Sequence, residues 1–250
     1  MRDGFDPDAW AYIQAVESAD GQKLESGVRR AIGRFVRGCK DDGIWGAIKA
    51  SCILAGARTL SGALVPLVGS APTSFNFVSG DYNRISGLKG DKTTKYLASN
   101  YSFPTSLQNN CHISANYTSK ISNSSPIVGA CGAGGSTHGS YLQMDGTRLY
   151  NEAILAYVPS DTTTLGFRGV SRNNSSNFNY YAAKASEIAP IPSFVVTHIN
   201  QYVFARNNNG TVDAYRNGSI NFYSIGEFMD LARLDTRVTQ LMTDISNALS

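Results

Sequence analysis

The stretch that most constrains the fold of this chain is Ser86–Asn100, where the periodicity of the sequence changes. Gly87, Gly90 and Asp91 interrupt it, which indicates two short strands joined by tight turns and not a helix. Before this stretch, apolar residues recur at the spacing of helices. After it, short polar strands alternate with Gly- and Asn-containing turns for more than a hundred residues. The sequence therefore predicts a helical lead-in followed by a β domain.

The lead-in begins with two amphipathic patterns. Asp6–Pro7 is a favourable helix start, because an Asp side chain can cap the first turn and Pro fits its backbone angles. This first helix is predicted to end at Gly21. Leu24–Cys39 carries an apolar face opposite a row of basic residues, and this second helix is predicted to end at Gly43.

A third helix is predicted over Trp45–Ile53, where the helical spacing of apolar residues continues. It lies within Ile44–Val68, the most apolar segment of the chain. Lys49, Arg58 and Pro66 interrupt that segment, so we expect a buried helix and no insertion into a membrane.

The predicted β domain consists of many short strands. Asp145-Gly146, Asn209-Gly210 and Asn217-Gly218 supply the positive φ angles that tight hairpins need. The strands are predicted at Ser74–Val78, Ser86–Leu97, Cys111–Tyr117, Ile127–Cys131, Ser140–Met144, Arg148–Leu155, Thr163–Val170, Asn177–Ala183, Phe194–Ile199, Tyr202–Arg206, Thr211–Tyr215 and Ser219–Tyr223. This pattern favours an antiparallel β-sandwich, with Ser86–Asn100 pairing near the closing strand Ser219–Tyr223.

The chain ends in a second type of helical pattern, with a single apolar stripe. The stripe includes Leu231, Leu234, Val238, Leu241 and Ile245. It predicts either packing within the protomer or association of several copies. Packing within the protomer is favoured, because small and apolar neighbours widen the stripe beyond a coiled-coil seam. The predicted organisation is a helical segment at 1–71, a β-sandwich at 72–224 and a C-terminal helix at 225–250.

Charge argues against a nucleic-acid partner. The formal net charge is +3, and only 16% of the residues are charged. Residues 44–225 contain thirteen Lys and Arg against seven Asp and Glu, which is a mildly positive region and not the dense basic stripe that phosphate binding requires. In place of charged residues the chain is rich in Asn, Ser, Thr, Gly and Tyr. This composition is expected for an all-β protein that is exposed outside a cell or on a particle.

The sequence contains no recognisable catalytic, metal or cofactor motif. The five glutamates, Glu17, Glu25, Glu152, Glu187 and Glu227, have no acidic neighbour two or four residues away, which disfavours the carboxylate pair of a glycosidase. The cysteines show no C-x-x-C spacing, and no D-x-D-x-D cluster suggests calcium. The histidines His112, His138 and His198 lie far apart and lack adjacent carboxylates. We therefore expect a protein that is not an enzyme and that holds no metal or cofactor.

A surface that recognises a ligand is the alternative to a catalytic or metal site. Tyr and Asn are suited to stacking on sugar faces and to bonding sugar hydroxyls. Residues of these types at or near predicted strand ends are Tyr101, Asn116, Tyr117, Asn179, Tyr180 and Tyr181. They are the candidate glycan-binding residues.

Four blocks of this sequence resemble a module of tailed-bacteriophage structural proteins. These blocks are Asp42–Gly69, Phe75–Val78, Gly87–Asp91 and Phe222–Glu227, the last followed by a Leu-rich helix. In that family a helical lead-in precedes a concanavalin A-like, laminin G-like jelly roll. The resemblance implies a mainly β fold of this type with helical additions at both ends.

The same resemblance implies a location and partners. A protein of this family is a virion component on head, neck or tail, present in several symmetric copies and bound to other virion proteins. Our first expectation is a non-enzymatic structural or decoration protein of a virion. The alternative is a carbohydrate-binding adhesin or tail-fibre module that recognises host cell-surface glycans. This sequence departs from lectins in lacking evident calcium ligands.

Overall fold

The structure is a computed structural model that describes residues 4, 6–119, 126–132, 139–143, 148–151, 164–193 and 198–250, with side chains left out at 148–151. In these residues the helices are α1 (Pro7–Asp20), α2 (Ser26–Asp41), α3 (Leu60–Ala63) and α4 (Leu231–Leu249). The strands are β1 (Ile48–Ile53), β2 (Thr73–Phe75), β3 (Tyr82–Asn83), β4 (Gly87–Asp91), β5 (Tyr96–Ser102), β6 (Cys111–Tyr117), β7 (Val128–Cys131), β8 (Gly139–Leu142), β9 (Arg148–Asn151), β10 (Gly166–Arg172), β11 (Phe178–Ala182), β12 (Ala185–Ala189), β13 (Asn200–Val203), β14 (Arg206–Asn208), β15 (Thr211–Asp213) and β16 (Asn217–Gly226).

The strands form two sheets. The first sheet has the order β12-β11-β10-β6-β16-β4-β3, and β1 also pairs with β16. The second sheet has the order β15-β14-β7-β13-β5-β2, and β8 and β9 continue from β7. The pairs are antiparallel except β14 with β7. The expected fold class, a mainly β sandwich with N-terminal helices and a C-terminal helix, is confirmed.

Two apolar layers hold the sheets and helices together. One lies between the sheets and includes Leu88, Leu97, Ile113 and Val203. The other lies between the first sheet and α1, α2 and α4, where Phe35 meets Phe222 edge to face. The order of layers is therefore helices, first sheet, second sheet, and the helices cover only the outer face of the first sheet.

The two predicted N-terminal helices are confirmed as α1 and α2. The Asp6 side chain accepts a hydrogen bond from the Asp8 amide, Pro7 occupies the first turn and Gly21 ends α1 with a left-handed backbone. Each feature acts as its sequence position predicts.

The predicted third helix at Trp45–Ile53 is wrong. Trp45–Ala47 forms a single 3₁₀ turn, and Ile48–Ile53 is strand β1, paired with Tyr223 and its neighbours on β16. Five of the six residues of β1 are buried. A strand buried on both faces reads as a continuous apolar run, and such a run does not distinguish strand from helix.

Ser86–Asn100 does contain two strands, β4 and β5, and they belong to different sheets. Leu88 of β4 pairs with Ile220 of β16, as expected for an opening strand beside the closing one. Because β1 also pairs with β16, residues of the predicted N-terminal segment are part of the sandwich itself.

The second half of the β domain differs from expectation in detail. Strand β12 was not predicted, because its hairpin turns on Ala183 and Lys184, residues that rarely adopt positive φ. The predicted strand Tyr202–Arg206 is broken at Phe204, which also has positive φ. Most of the predicted strand Phe194–Ile199, and residues 144, 152–155 and 163 of three others, lie outside the described residues.

The apolar stripe of α4 lies inside the protomer. Leu231, Leu234, Val238, Leu241 and Ile245 are each 4% exposed or less. The Arg237 guanidinium of α4 also forms two hydrogen bonds with the Asp42 carboxylate after α2, at 2.7 and 2.8 Å. Packing within the protomer accounts for the stripe, and association of several copies stays a prediction. In the part of the chain that is described, no helix is long and apolar enough to cross a membrane.

His112 is a structural residue of the first sheet. Its ring is fully buried, where Nδ1 donates to the Glu227 carbonyl oxygen and Nε2 accepts from the Ser224 hydroxyl at 2.8 Å. A carbonyl oxygen can only accept, so the proton is on Nδ1. Burial lowers the pKa of His112 from 6.5 to about 4.

This burial predicts an acid-sensitive fold. In the unfolded chain His112 becomes protonated as the pH falls below 6.5. In the folded chain it stays neutral until the pH approaches its lowered pKa of about 4. The free energy of unfolding should therefore fall by about 2 kcal/mol between pH 7 and pH 5. In His112→Asn, whose amide can still donate to Glu227, most of this fall should vanish. Urea unfolding of both proteins at the two pH values measures it, and an equal fall in both would contradict the assignment.

Candidate functional site

Four aromatic rings lie together on the outer face of the second sheet. Phe75 is on β2, Tyr96 on β5 and Tyr202 on β13, and Tyr215 precedes β16. Strand alternation places them there, because the next residues along β5 and β13, Leu97 and Val203, are fully buried between the sheets. We call Phe75, Tyr96, Tyr202 and Tyr215 the aromatic row.

Tyr96 is the centre of the row. Its ring stacks on that of Phe75 with centroids 4.3 Å apart and planes 2° apart. Its centroid is 4.9 Å from that of Tyr202 and 6.1 Å from that of Tyr215, in tilted and edge-on arrangements. β2 is the last strand of the sheet, and Phe75 is 37% exposed. The face of Phe75 that does not meet Tyr96 is therefore open at the sheet edge.

The row also carries polar groups. Within the described residues, the hydroxyls of Tyr96 and Tyr202 form no hydrogen bond. Partial burial, with the nearby Tyr202 and Tyr215 hydroxyls, raises the pKa of Tyr96. The row thus combines apolar ring faces with hydroxyls that are open to a ligand.

The backbone around the row is unusual. Asn76, directly after Phe75, has φ 61°, and Ala214, directly before Tyr215, has φ 49°. Phe204, two residues after Tyr202, has φ 68°. Left-handed backbone at residues such as Ala and Phe costs about 1–2 kcal/mol each. Such strain persists where the surrounding structure enforces it, and it is concentrated at binding sites.

Two side-chain amides connect the strands that carry the row. The Asn100 side chain donates to the Thr73 hydroxyl and the Ala71 carbonyl, at 3.1 and 2.8 Å. The Asn200 side chain donates to the Asn100 side-chain oxygen at 3.3 Å. These bonds link β13, β5 and β2, so the strands that carry the row are held in fixed positions.

A concave surface lies on the opposite side of the sandwich, between α4 and the β11–β12 hairpin. It consists of two adjoining cavities of about 280 and 370 Å³ that share Tyr181 and Ala232. Its polar lining includes Ser171, Asn179, Lys184, Ser186, Asp235 and Thr239. We call it the helix–sheet groove.

The structure does not bring the six predicted glycan-binding residues together. Tyr117 and Tyr180 are 1% exposed and lie between the sheets, so no sugar can stack on them in this fold. Asn116 is buried against the helical layer and donates to the Asn221 side chain at 2.7 Å. Tyr101 is half-buried edge to face against Phe103. Their role in binding a glycan is not supported by these positions.

Asn179 and Tyr181 do line a common surface, the helix–sheet groove. They are two residues apart on β11 and so share its outer face, whereas Tyr180 points to the other face. Tyr181 is 6% exposed and donates to the Asp235 carboxylate at 3.0 Å. Burial and the Asp235 charge raise the pKa of Tyr181 to about 12.

Sequence reasoning missed the aromatic row. Phe75, Tyr96, Tyr202 and Tyr215 all lie in predicted strands, but their strands are distant in sequence and become neighbours only in the sheet. One local signal was available, since Tyr96 and Tyr202 each precede an apolar residue, Leu97 and Val203, that is fully buried on the opposite strand face.

The described residues offer no evident reaction chemistry. Among them no group of three His, Cys, Asp or Glu side chains could hold a metal ion. Glu17 is paired with Lys23 and Arg29, and Glu25 with Arg58 and Arg84. These glutamates support the fold, and Glu152 and His138 lie outside the described residues. That the protein is not an enzyme stays a prediction.

Comparison with known proteins gives likeness of fold only. No protein-family model matches the chain, and no curated protein matches its sequence. The NanB sialidase of Streptococcus pneumoniae matches 51% of this chain over 24% of its own, with 12% identity and a TM-score of 0.39. This chain therefore spans about a quarter of the sialidase chains it matches.

Two smaller domains match over more of their length. The CBM40 of a Ruminococcus gnavus IT-sialidase matches 52% of this chain over 84% of its own, with 14% identity and a TM-score of 0.38. Domain 4 of AbnA, an arabinanase from Geobacillus stearothermophilus, was solved with arabinotriose. It matches 78% of this chain over 99% of its own, with 13% identity and a TM-score of 0.41. All these scores are below 0.5, so the matches decide nothing about function.

The pKa of Tyr96 should depend on the neighbouring Tyr202 hydroxyl. In Tyr202→Phe the pKa of Tyr96 should fall, because one neighbouring hydroxyl is removed, but it should stay above the ordinary value of tyrosine because burial remains. Tyr101→Phe, on the same strand and outside the row, is the control and should have no effect. NMR titration of ¹³Cζ-labelled tyrosine measures these values. An unchanged Tyr96 pKa in Tyr202→Phe would contradict the described geometry.

Proposed function

We propose that the protein is a non-enzymatic carbohydrate-binding protein and that the aromatic row is its binding surface. One observation carries the proposal: three tyrosines and a phenylalanine are clustered and partly exposed on the sheet face that the helices leave open. Clustered exposed aromatics on a soluble fold mark an interaction surface. The ligand class follows from the chemistry of the row.

A sugar ring has an apolar C–H face and a rim of hydroxyls, and the row complements both. The open face of Phe75 offers a stacking surface at the sheet edge. Tyr96 and Tyr202 add hydroxyls that can donate to or accept from sugar hydroxyls. Both tyrosines are already packed against neighbouring rings, so little side-chain entropy is lost on binding. A cell-surface glycan is the ligand that this combination fits best.

Substitutions in the row test the proposal on an array of bacterial cell-surface glycans. Phe75→Ala should weaken binding of the best ligand by roughly tenfold, because it removes the stacking face. Tyr96→Phe keeps the ring and loses the hydroxyl, and should weaken binding about threefold. Isothermal titration calorimetry gives the affinities.

The matched control is Ile85→Ala, since Ile85 is 48% exposed but lies in the turn between β3 and β4 of the other sheet. It should bind like the wild type. Circular dichroism checks that each variant is folded. The proposal fails if the wild type binds no glycan on the array, or if Phe75→Ala binds as tightly as Ile85→Ala does.

A second candidate is a structural or decoration role in a virion, on head, neck or tail. The observation that favours it is the placement of the blocks that resemble phage structural proteins. Within Asp42–Gly69, strand β1 pairs with residues 222–226 of β16, so the two blocks form one unit beneath the helical layer. In this reading the helical side binds other virion proteins and the aromatic row faces outward. The two roles are compatible.

Mass spectrometry of purified virions of a phage that encodes this chain tests this second role. We expect the protein in stoichiometric, multiple copies that remain bound after density-gradient purification. Its absence from the particles would reject the virion role and would leave glycan binding untouched, since the two roles rest on different observations.

A further inference from the structure

The helix–sheet groove has a floor that is fixed by internal hydrogen bonds. The Asp235 carboxylate accepts from the Tyr181 hydroxyl through one oxygen and from the Thr239 hydroxyl through the other, both at 3.0 Å. Tyr181 and Asp235 are each 6% exposed. The Ser171 hydroxyl donates to the Met229 carbonyl at 2.9 Å. A floor bonded in this way is preorganised for a ligand.

The wall formed by the β11–β12 hairpin is different, because its polar groups are unused. Within the described part of the chain, the side chains of Asn179, Lys184 and Ser186 form no hydrogen bond or ion pair, and none of them is buried. Together they offer amide, ammonium and hydroxyl donors and two kinds of acceptor oxygen. Each Asp235 oxygen also keeps a lone pair beyond the one it uses. The groove therefore has one wall whose polar side chains have no protein partner among the described residues, and a floor that is fixed by hydrogen bonds.

The hairpin turn that carries this wall has an unusual backbone. Ala183 and Lys184 have φ of 49° and 62°, a conformation that tight hairpins normally reserve for Asn or Gly. The turn brings Lys184 to the edge of the groove, opposite the threonine-bearing side of α4.

Size and charge restrict the ligand. Cavities of about 280 and 370 Å³ match a site for a small molecule or for one or two sugar units. The charged residues that line the groove in the described structure are Asp230, Asp235 and Lys184, with a net charge of −1. This balance disfavours an acidic sugar, and the mixture of hydroxyl, amide and carboxylate groups suits the hydroxyls of a neutral one.

We propose that the helix–sheet groove is a second saccharide site, separate from the aromatic row and selective for neutral sugars. The choice of ligand class rests on the proposed function, whereas the location rests on the groove alone. The two sites lie on opposite layers of the protein. A polysaccharide that reaches both, or two chains held together, would gain avidity without any new contact.

Titration of the ¹⁵N-labelled 250-residue chain with defined sugars tests this proposal. The neutral probes are maltohexaose, cellohexaose and chitohexaose, and 3′-sialyllactose is the acidic probe. With at least one neutral probe, we expect saturable amide shifts at 179–186 and 230–240 in the wild type. In Phe75→Ala these shifts should persist, and in Asn179→Ala the affinity that they report should fall about tenfold. Asn247→Ala, an exposed amide of α4 outside the groove, is the matched control and should leave the affinity unchanged.

Each outcome separates the two proposals. Shifts in the groove that survive Phe75→Ala support the second site, whether or not the aromatic row responds. Shifts confined to 73–76, 96–100 and 200–204 would overturn the second site and leave the proposed function intact. Absence of shifts in both regions with every probe would overturn the second site, while the glycan array decides the proposed function independently. Tighter binding of 3′-sialyllactose than of the neutral probes in the groove would overturn the neutral-sugar assignment.

Discussion

The backbone pairing of β16 is the interaction on which the rest of this structure depends. This ten-residue strand pairs with β6 along one edge and with β4 and then β1 along the other. Two glycines make these pairings possible. A side chain at Gly87 would collide with the Ile220 carbonyl, and one at Gly226 would collide with the Ala47 carbonyl. Through β16, segments from both ends of the chain meet in one sheet.

This arrangement decides which surfaces are open. Because α1 and α2 precede β1 and α4 follows β16, these three helices gather on the outer face of the first sheet and bury it. The second sheet has no helical cover in the described residues, so its aromatic row stays accessible. α4 covers β10 but leaves β11 and β12 partly uncovered, and the helix–sheet groove forms at that margin. Both proposed sites are thus consequences of where the helices end.

Sequence reasoning reached the fold class because strong local signals agreed with the global structure. Asp6–Pro7, Gly21 and the stripe of α4 specify their elements without help from distant residues. It failed at β1, where tertiary pairing with β16 decides the conformation of an apolar run.

The binding surfaces were harder to predict. Tyr180 and Tyr181 are adjacent tyrosines, yet Tyr180 lies between the sheets and Tyr181 in the groove, because successive residues of a strand point to opposite faces. Which of the two faces the core depends on the strand register, which the sequence alone does not specify. The aromatic row joins residues from 75 to 215: the order β13-β5-β2 brings Tyr202, Tyr96 and Phe75 together, and Tyr215 comes from the segment before β16. Strand order is set by long-range pairing, which a single sequence does not encode locally.

A crystal structure with the tightest-binding glycan of the array tests the central claim, that the sheet face opposite the helices is the binding surface. The account predicts a sugar ring in van der Waals contact with the open face of Phe75, at about 4 Å. It also predicts a sugar hydroxyl bonded to the hydroxyl of Tyr96 or Tyr202. A glycan bound only on the helical side, with the aromatic row unoccupied, would contradict it.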